Sequence, residues 1–196
     1  MARRRKGYAS FRKKCERAKT LITGGRILSV DPALGTGESM PGYAVYKASK
    51  LDESGSLFYD AETAAEGLRA LRKFVEEIGP VDVLVVEELR GSMVHPHLHW
   101  VVGVLVEAVE AKLVLECPIP LWKRLAKEDP HYTKSDEEDA KKFGETIIKL
   151  AEGSYPCEVR SGTPASSRRR RKTTGRPSKR SKRSSASRRT KKRSKR

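Results

Sequence analysis

Seven residues, Val81 to Glu87 (VDVLVVE), constrain the fold of this chain more than any others. They are nearly all apolar and β-branched, so the run reads as a strand buried on both faces in the middle of a sheet. A strand of that kind needs a covering layer on each side, and both neighbours supply one. Before it, Ala64, Leu68, Leu71, Val75 and Ile78 recur at steps of three and four with charged residues between, and Gly79-Pro80 stops the run. That pattern predicts an amphipathic helix. After it, His97 to Lys112 (HLHWVVGVLVEAVEAK) predicts a second helix, and Leu113 to Cys117 (LVLEC) returns as a strand before Pro118 and Pro120. Strand, helix, strand implies parallel pairing through right-handed crossovers.

Upstream, RILSVD (Arg26 to Asp31) reads as a first strand, ended by Asp31-Pro32 and a Gly-rich loop. GYAVYK (Gly42 to Lys47) and SLFYD (Ser56 to Asp60) follow, with a turn at Asp52 to Gly55, so three strands in antiparallel succession are expected. A last helix begins near Ser135, runs through Ala140, Phe143, Ile147, Ile148 and Leu150, and ends before Gly153. The expected class is α/β: a mixed sheet, three antiparallel strands and then parallel ones, flanked by helices. One domain over 26–153 fits a body of this length.

Charge divides the chain differently. Arg168 to Arg196 holds 17 of the 42 Lys and Arg and no acid, so residues 1–167 carry 25 bases against 25 acids. Met1 to Lys19 has 9 bases and one acid (Glu16), which leaves Thr20 to Ser167 with 16 bases and 24 acids, a net of −8. The expectation is an acidic body with two disordered basic arms, 1–25 and 168–196, the second joined by a linker over 154–167. Runs such as RRRRK neutralise phosphates and release counterions, which points to nucleic acid as partner. A solubility tail or a nuclear address is the alternative. No run of about 18 apolar residues and no signal-peptide pattern is present, and Cys15, Cys117 and Cys157 have no C-x-x-C spacing. The expected protein is soluble, without membrane contact, with reduced cysteines. It works inside the cell, in the cytoplasm or on the nucleoid of a bacterial host, or in the nucleus of a eukaryotic one.

Four acids fall where a globular protein has little use for them. Asp31 ends the first strand, Glu87 ends the most buried one, and Asp136 and Asp139 open the final helix three apart on one face. If the helix start packs on the strand ends, these carboxylates form a cluster that needs cations to stay ionised. Hard divalent ions such as Mg²⁺ take carboxylate oxygen and keep water positions open. Two of them roughly 3.5–4 Å apart would clamp the attacking and leaving oxygens of a phosphodiester. Each acid also has a structural explanation: Asp31 as a turn former, Glu87 as a solvated strand end, and Ser135 with Glu138 as a capping box. Those explanations leave Asp139 and the conjunction unaccounted for. Spacing alone does not choose between Glu87 and Glu88.

With these residues in place, the chain from Arg26 to Leu150 resembles the RuvC family of Holliday-junction resolvases, within the RNase H-like superfamily. ILSVDP stands where the family has its first strand and catalytic Asp, VDVLVVEE where it has the strand bearing the catalytic Glu, and SDEEDA where it has paired aspartates. The resemblance implies a catalytic and metal-binding set of Asp31, Glu87, Asp136 and Asp139, with Glu87 in preference to Glu88. PIPLWKRL is similar to the segment bearing a basic residue near the scissile phosphate, which maps to Lys123. A lysine there holds a phosphate oxygen or stabilises developing charge, against the alternative of an ordinary exposed helical lysine. Trp122 reads as core packing.

The implied activity is that of a crossover junction endodeoxyribonuclease. It is an Mg²⁺-dependent hydrolase, with Mn²⁺ able to substitute, that cuts four-way DNA junctions in recombination and repair by a two-metal-ion mechanism, as a homodimer. Val101, Val102, Leu105, Val106 and Val109 offer a dimer face or core packing equally. Compact phage-encoded members look most similar. Alternatives are a nuclease of RNA–DNA hybrids or flapped DNA, and a DNA-condensing protein without enzymatic activity. The chain departs from the family pattern at Ala33 and the longer loop after it. It departs again in the short stretch between Lys123 and Asp136, where Lys134 is the substitute for a missing basic residue, and at Leu89 and Arg90, where an aromatic wedge is expected. His95, His97 and His99 would share one face of a strand as zinc ligands, but the segment precedes a helix and no cysteine is near.

Overall fold

The computed structural model describes residues 2–33, 41–57, 63–89 and 96–156, of which 2–7 and 97 by backbone alone. Met1–Cys157 forms one unit. Along the described residues the chain forms α1 (Ala2–Arg17), α2 (Lys19–Gly24), β1 (Arg26–Asp31), β2 (Gly42–Lys47), β3 (Lys50–Ser56), α3 (Ala64–Ile78), β4 (Val83–Glu87), α4 (Pro96–Ala108), β5 (Leu113–Cys117), α5 (Ile119–Glu128) and α6 (Asp136–Glu152). The strands order as β3-β2-β1-β4-β5. β3, β2 and β1 are antiparallel, whereas β1, β4 and β5 run parallel. This is the mixed, helix-flanked sheet the sequence predicts.

Alternation along the strands divides the core in two. Ile27, Val83, Val85 and Leu115 face α1, α2, α5 and α6. Leu28, Val30, Leu84 and Val86 face α3 and α4, where Leu71, Val75, Val101 and Leu105 are buried. Full coverage explains the apolar run in β4, whose Val83 to Val86 are all solvent-free. α3 opens on a capping box in which Thr63 and Glu66 satisfy each other's backbone N–H, and it closes on Gly79 at φ 75°. α6 opens on Ser135 and closes on Gly153 in the left-handed conformation.

Two expectations are corrected. The third strand is Lys50–Ser56, not Ser56 to Asp60, and residues 58–60 lie outside the described residues. Ala48 and Ser49 both take positive φ and close a two-residue hairpin straight after β2, so the chain turns back before any apolar residue announces it. β3 is an edge strand with a charged sequence, which guards against edge-to-edge pairing and hides it from a hydrophobic pattern. The N-terminal arm expected to be disordered is instead helical. Phe11, Cys15 and Ile22 recur at helical spacing and are buried in the same core as α6, and Ala18 packs against it. Those four side chains supply the apolar surface that a count of charges overlooks.

The second helix of the parallel unit ends at Ala108 rather than Lys112. Lys112 instead reaches Asp82 at 2.7 Å, and Asp82 also accepts the Arg26 N–H at 2.8 Å, which ties the starts of β1, β4 and β5 together. Cys15 and Cys117 are free and buried. No described helix is long and apolar enough to cross a membrane. The basic tail over 168–196, Cys157 and the linker from residue 157 on lie outside the described residues.

Candidate active site

The site is built at the carboxyl ends of two parallel neighbours. β1 and β4 pair Ile27 with Val83 and Val30 with Val86, so the register carried one residue further sets Asp31 beside Glu87. Because side chains alternate, Asp31 follows Ile27 and Ser29, and Glu87 follows Val83 and Val85, onto the face covered by α6. Glu88 leaves that line. It is 8% exposed, and its N–H bonds the Cys117 carbonyl at 3.0 Å, which turns it away past the end of β5.

α6 brings the other two acids by a close approach. Asp31 pairs with Gly42 across β1 and β2. A Cβ at Gly42 would lie 2.0 Å from the Asp136 carbonyl carbon and oxygen, so only glycine lets the helix start sit on the sheet there. The Ser29 hydroxyl donates to the Ala140 carbonyl at 2.7 Å in a buried bond, and the Tyr46 hydroxyl donates to the Lys141 carbonyl at 2.7 Å. These anchors hold the first turn of α6 over the ends of β1 and β2. The cap and the site use different residues. Ser135 accepts the Glu138 N–H, whereas the Glu137 and Glu138 carboxylates pair with Lys141 at 2.7 and 2.8 Å. Asp136 and Asp139 take no part in that pairing.

Electrostatics register how near the four acids are. Burial first, then the charges of Glu87, Asp139 and Asp136, push the Asp31 carboxyl up from an ordinary value near 3.8 to about 8, while Lys123 pulls it down. Glu87, Asp136 and Asp139 are also raised, in each case chiefly by burial. Lys123 opposes the rise at Glu87 and Asp139, so its exposed ammonium is the cation that faces the cluster. The stem of Lys123 places Nζ 5.0 Å from the Trp122 ring centre. Asp31, Glu87, Asp136, Asp139 and Lys123 thus lie at one end of the sheet, near enough for the other four to act on the charge of Asp31.

The donors suit a hard divalent ion in kind, being oxygen alone, and their mutual repulsion is what such an ion relieves. As they stand, no three metal-binding groups among the described residues converge closely enough to hold one. The set is open rather than a finished cage.

Two further residues shape the site: Tyr132, which the sequence does not mark, and Trp122. The Tyr132 hydroxyl donates to Asp139 and favours its charged form. Trp122 is 2% exposed, packed edge-on against Phe143 at 5.1 Å, as core packing predicts. Its indole N–H is the one buried side-chain polar atom among the described residues without a hydrogen bond of normal geometry, yet it stands near enough to Glu87 to lower that carboxyl's pKa. A groove of about 500 Å³ leads off from Asp139 over Trp122 and Tyr132 and is edged by Lys123, Lys127 and Lys134. Lys134 thus lines the groove that leads to Asp139. Arg90 and His95 lie outside the described residues, as does the side chain of His97, and His99 is exposed on α4. Residues 97 and 99 stand on a helix, where a spacing of two does not share a face, so the alternating zinc arrangement does not form.

No family model matches the chain, and no curated protein matches it. Among solved structures it is similar to T. thermophilus RuvC in complex with a Holliday junction substrate, at 18% identity and a TM-score of 0.48, over 66% of this chain and 96% of that one. It is similar also to a Thermus thermophilus RuvC structure at 16% identity and a TM-score of 0.46, over 66% and 97%. The likeness is one of fold.

Proposed function

We propose that the chain is a divalent-metal-dependent endonuclease of branched DNA, cutting phosphodiesters at four-way junctions with water as nucleophile. The observation that carries this reading is the gathering of Asp31, Glu87, Asp136 and Asp139 at one end of the sheet, with Lys123 the cation facing them. Acids so placed repel phosphate unless cations intervene. These four carboxylates would hold Mg²⁺ or Mn²⁺, which would supply the charge that activates water and stabilises the leaving oxygen. The chain's own residues do the rest. Tyr132 favours the charged form of Asp139, Lys123 meets a non-bridging phosphate oxygen, and Lys127 and Lys134 steer the strand along the groove.

The same reading includes a homodimer, since paired cuts need two sites. α4 supports it: Val101 and Leu105 bury one side in the core, while Trp100 and Val106 stand 55% and 44% exposed on the other. The deciding experiment is cleavage of synthetic four-way junctions, flaps, RNA–DNA hybrids and linear duplexes, with and without Mg²⁺. Mg²⁺-dependent cutting of junctions in preference to the rest is expected. Preference for the hybrid or the flap would move the substrate, and binding without any cutting would leave a DNA-condensing protein.

A further inference from the structure

We infer that α1 is a fixed cationic rail that holds one duplex arm of the substrate beside the carboxylates, through the phosphates of its backbone. The inference rests on the nuclease reading and adds to it a surface that composition assigns to unstructured charge.

α1 is locked in place. Phe11 and Cys15 are 8% and 0% exposed in the core shared with α6, so the helix has one orientation. Its other side is cationic: Lys13, Lys14 and Arg17 are exposed, and the single acid, Glu16, is taken up by Arg12 at 2.9 Å. Lys13 and Arg17 are one turn apart, about 6 Å along the axis, close to two phosphate steps of about 3.4 Å along one DNA strand.

Its position matters as much as its charge. Lys14 lines a groove of about 490 Å³ together with Glu88, Glu116 and Pro118, beside the carboxyl ends of β4 and β5. Glu88 is the residue after Glu87, so the groove borders the strand end that carries the Glu87 carboxylate, and a phosphate backbone has to keep to its cationic edge, away from Glu88 and Glu116. The body from Thr20 to Ser167 carries 16 bases and 24 acids, and a phosphate backbone can settle only where cations are grouped. A rigid element can fix which arm lies there, which freely moving charge cannot.

The test uses the full chain in Ca²⁺, with a cutting reagent, iron chelated by EDTA, tethered to Lys13→Cys in a Cys157→Ser background. Cuts confined to about one turn of a single junction arm, at a fixed distance from the branch, are expected. Scattered cuts on all arms, or none, overturn the rail. Lys13→Ala, Lys14→Ala and Arg17→Ala together should lower the salt slope of junction binding by about 0.9 per residue and blur that footprint. An unchanged slope also overturns it. The footprint is read without catalysis, so a protein that binds with a fixed register but never cuts in Mg²⁺ sinks the nuclease reading and leaves the rail standing.

Discussion

The Tyr132 hydroxyl donates a hydrogen bond to Oδ1 of Asp139, from a loop that otherwise only joins α5 to α6. The bond favours the carboxylate form of a group that burial pushes the other way. Tyr132→Phe should therefore shift the Mg²⁺ dependence of cleavage to higher concentration by about 10-fold or more, as loss of an outer partner to a metal ligand does. Stability should fall by only about 1 kcal/mol. A parallel loss in both, with no shift in Mg²⁺ dependence, would make Tyr132 a packing residue.

Cap and ligand are separable on the first turn of α6. Ser135→Ala removes the acceptor for the Glu138 N–H and should cost about 1 kcal/mol in denaturant unfolding while cleavage persists. Asp136→Asn should do the reverse, as should Asp31→Asn, Glu87→Gln and Asp139→Asn: cleavage lost, folding and junction binding kept. If Asp136→Asn cut normally and melted early, the helix cap would account for that residue.

Asp31 makes stability depend on pH in an unusual direction. Its carboxyl sits at about 8 in the fold against an ordinary value near 3.8, so between those values the folded protein holds a proton that the unfolded chain has released. This contribution is present below the lower value and declines as pH rises through the upper one. In EDTA the melting temperature should fall from pH 5 to pH 9, and Mg²⁺ should raise it more at pH 8 than at pH 5. Asp31→Asn should shrink both responses to what the raised Glu87, Asp136 and Asp139 carboxyls supply; undiminished responses in that variant would place the titration elsewhere.

Gly42 tests the close approach. Its Cβ would meet Asp136 backbone at 2.0 Å, where no flexible side chain can yield, whereas Gly103 has nothing within 4 Å. Gly42→Ala should cost about 1–3 kcal/mol by overpacking and suppress cleavage far more than that loss explains. Gly103→Ala, at an exposed helical position, should raise stability by about 0.5–1 kcal/mol and leave cleavage unchanged. Full activity in a folded Gly42→Ala variant would show that the Asp136 position is not critical.

Lys123→Ala should slow cleavage more than it weakens binding, since the ammonium faces the charge that develops. Equal losses in rate and affinity would reduce it to a phosphate anchor.

The sequence made the centre of this fold legible and its margins obscure, for physical reasons. Val83 to Val86, the core of the run read as Val81 to Glu87, is buried on both faces and has to be apolar, so its place was readable without help. The same holds for Asp31 and Glu87, whose positions follow from strand ends, and for Asp136 and Asp139, whose spacing follows from a helix. β3 escaped notice because an edge strand is held by backbone bonds and selected to look polar. α1 escaped because only two apolar side chains, Phe11 and Cys15, seat it among many charges. Tyr132 left no trace at all: its role depends on a loop returning to α6, which no local pattern encodes.

α6 packs against all five strands and against α1, α2 and α5. Half of the carboxylate set therefore rides on the helix around which the whole body is assembled, not on a lid. Opening the site by local fraying would mean parting that helix from the sheet, a motion close in free energy to unfolding the domain. The amides from Asp139 onward should then exchange with solvent as slowly as the deepest strands do, and the crowded carboxylates persist as a standing strain in the fold, which counter-ions would relieve by drawing side chains together and not by moving the helix.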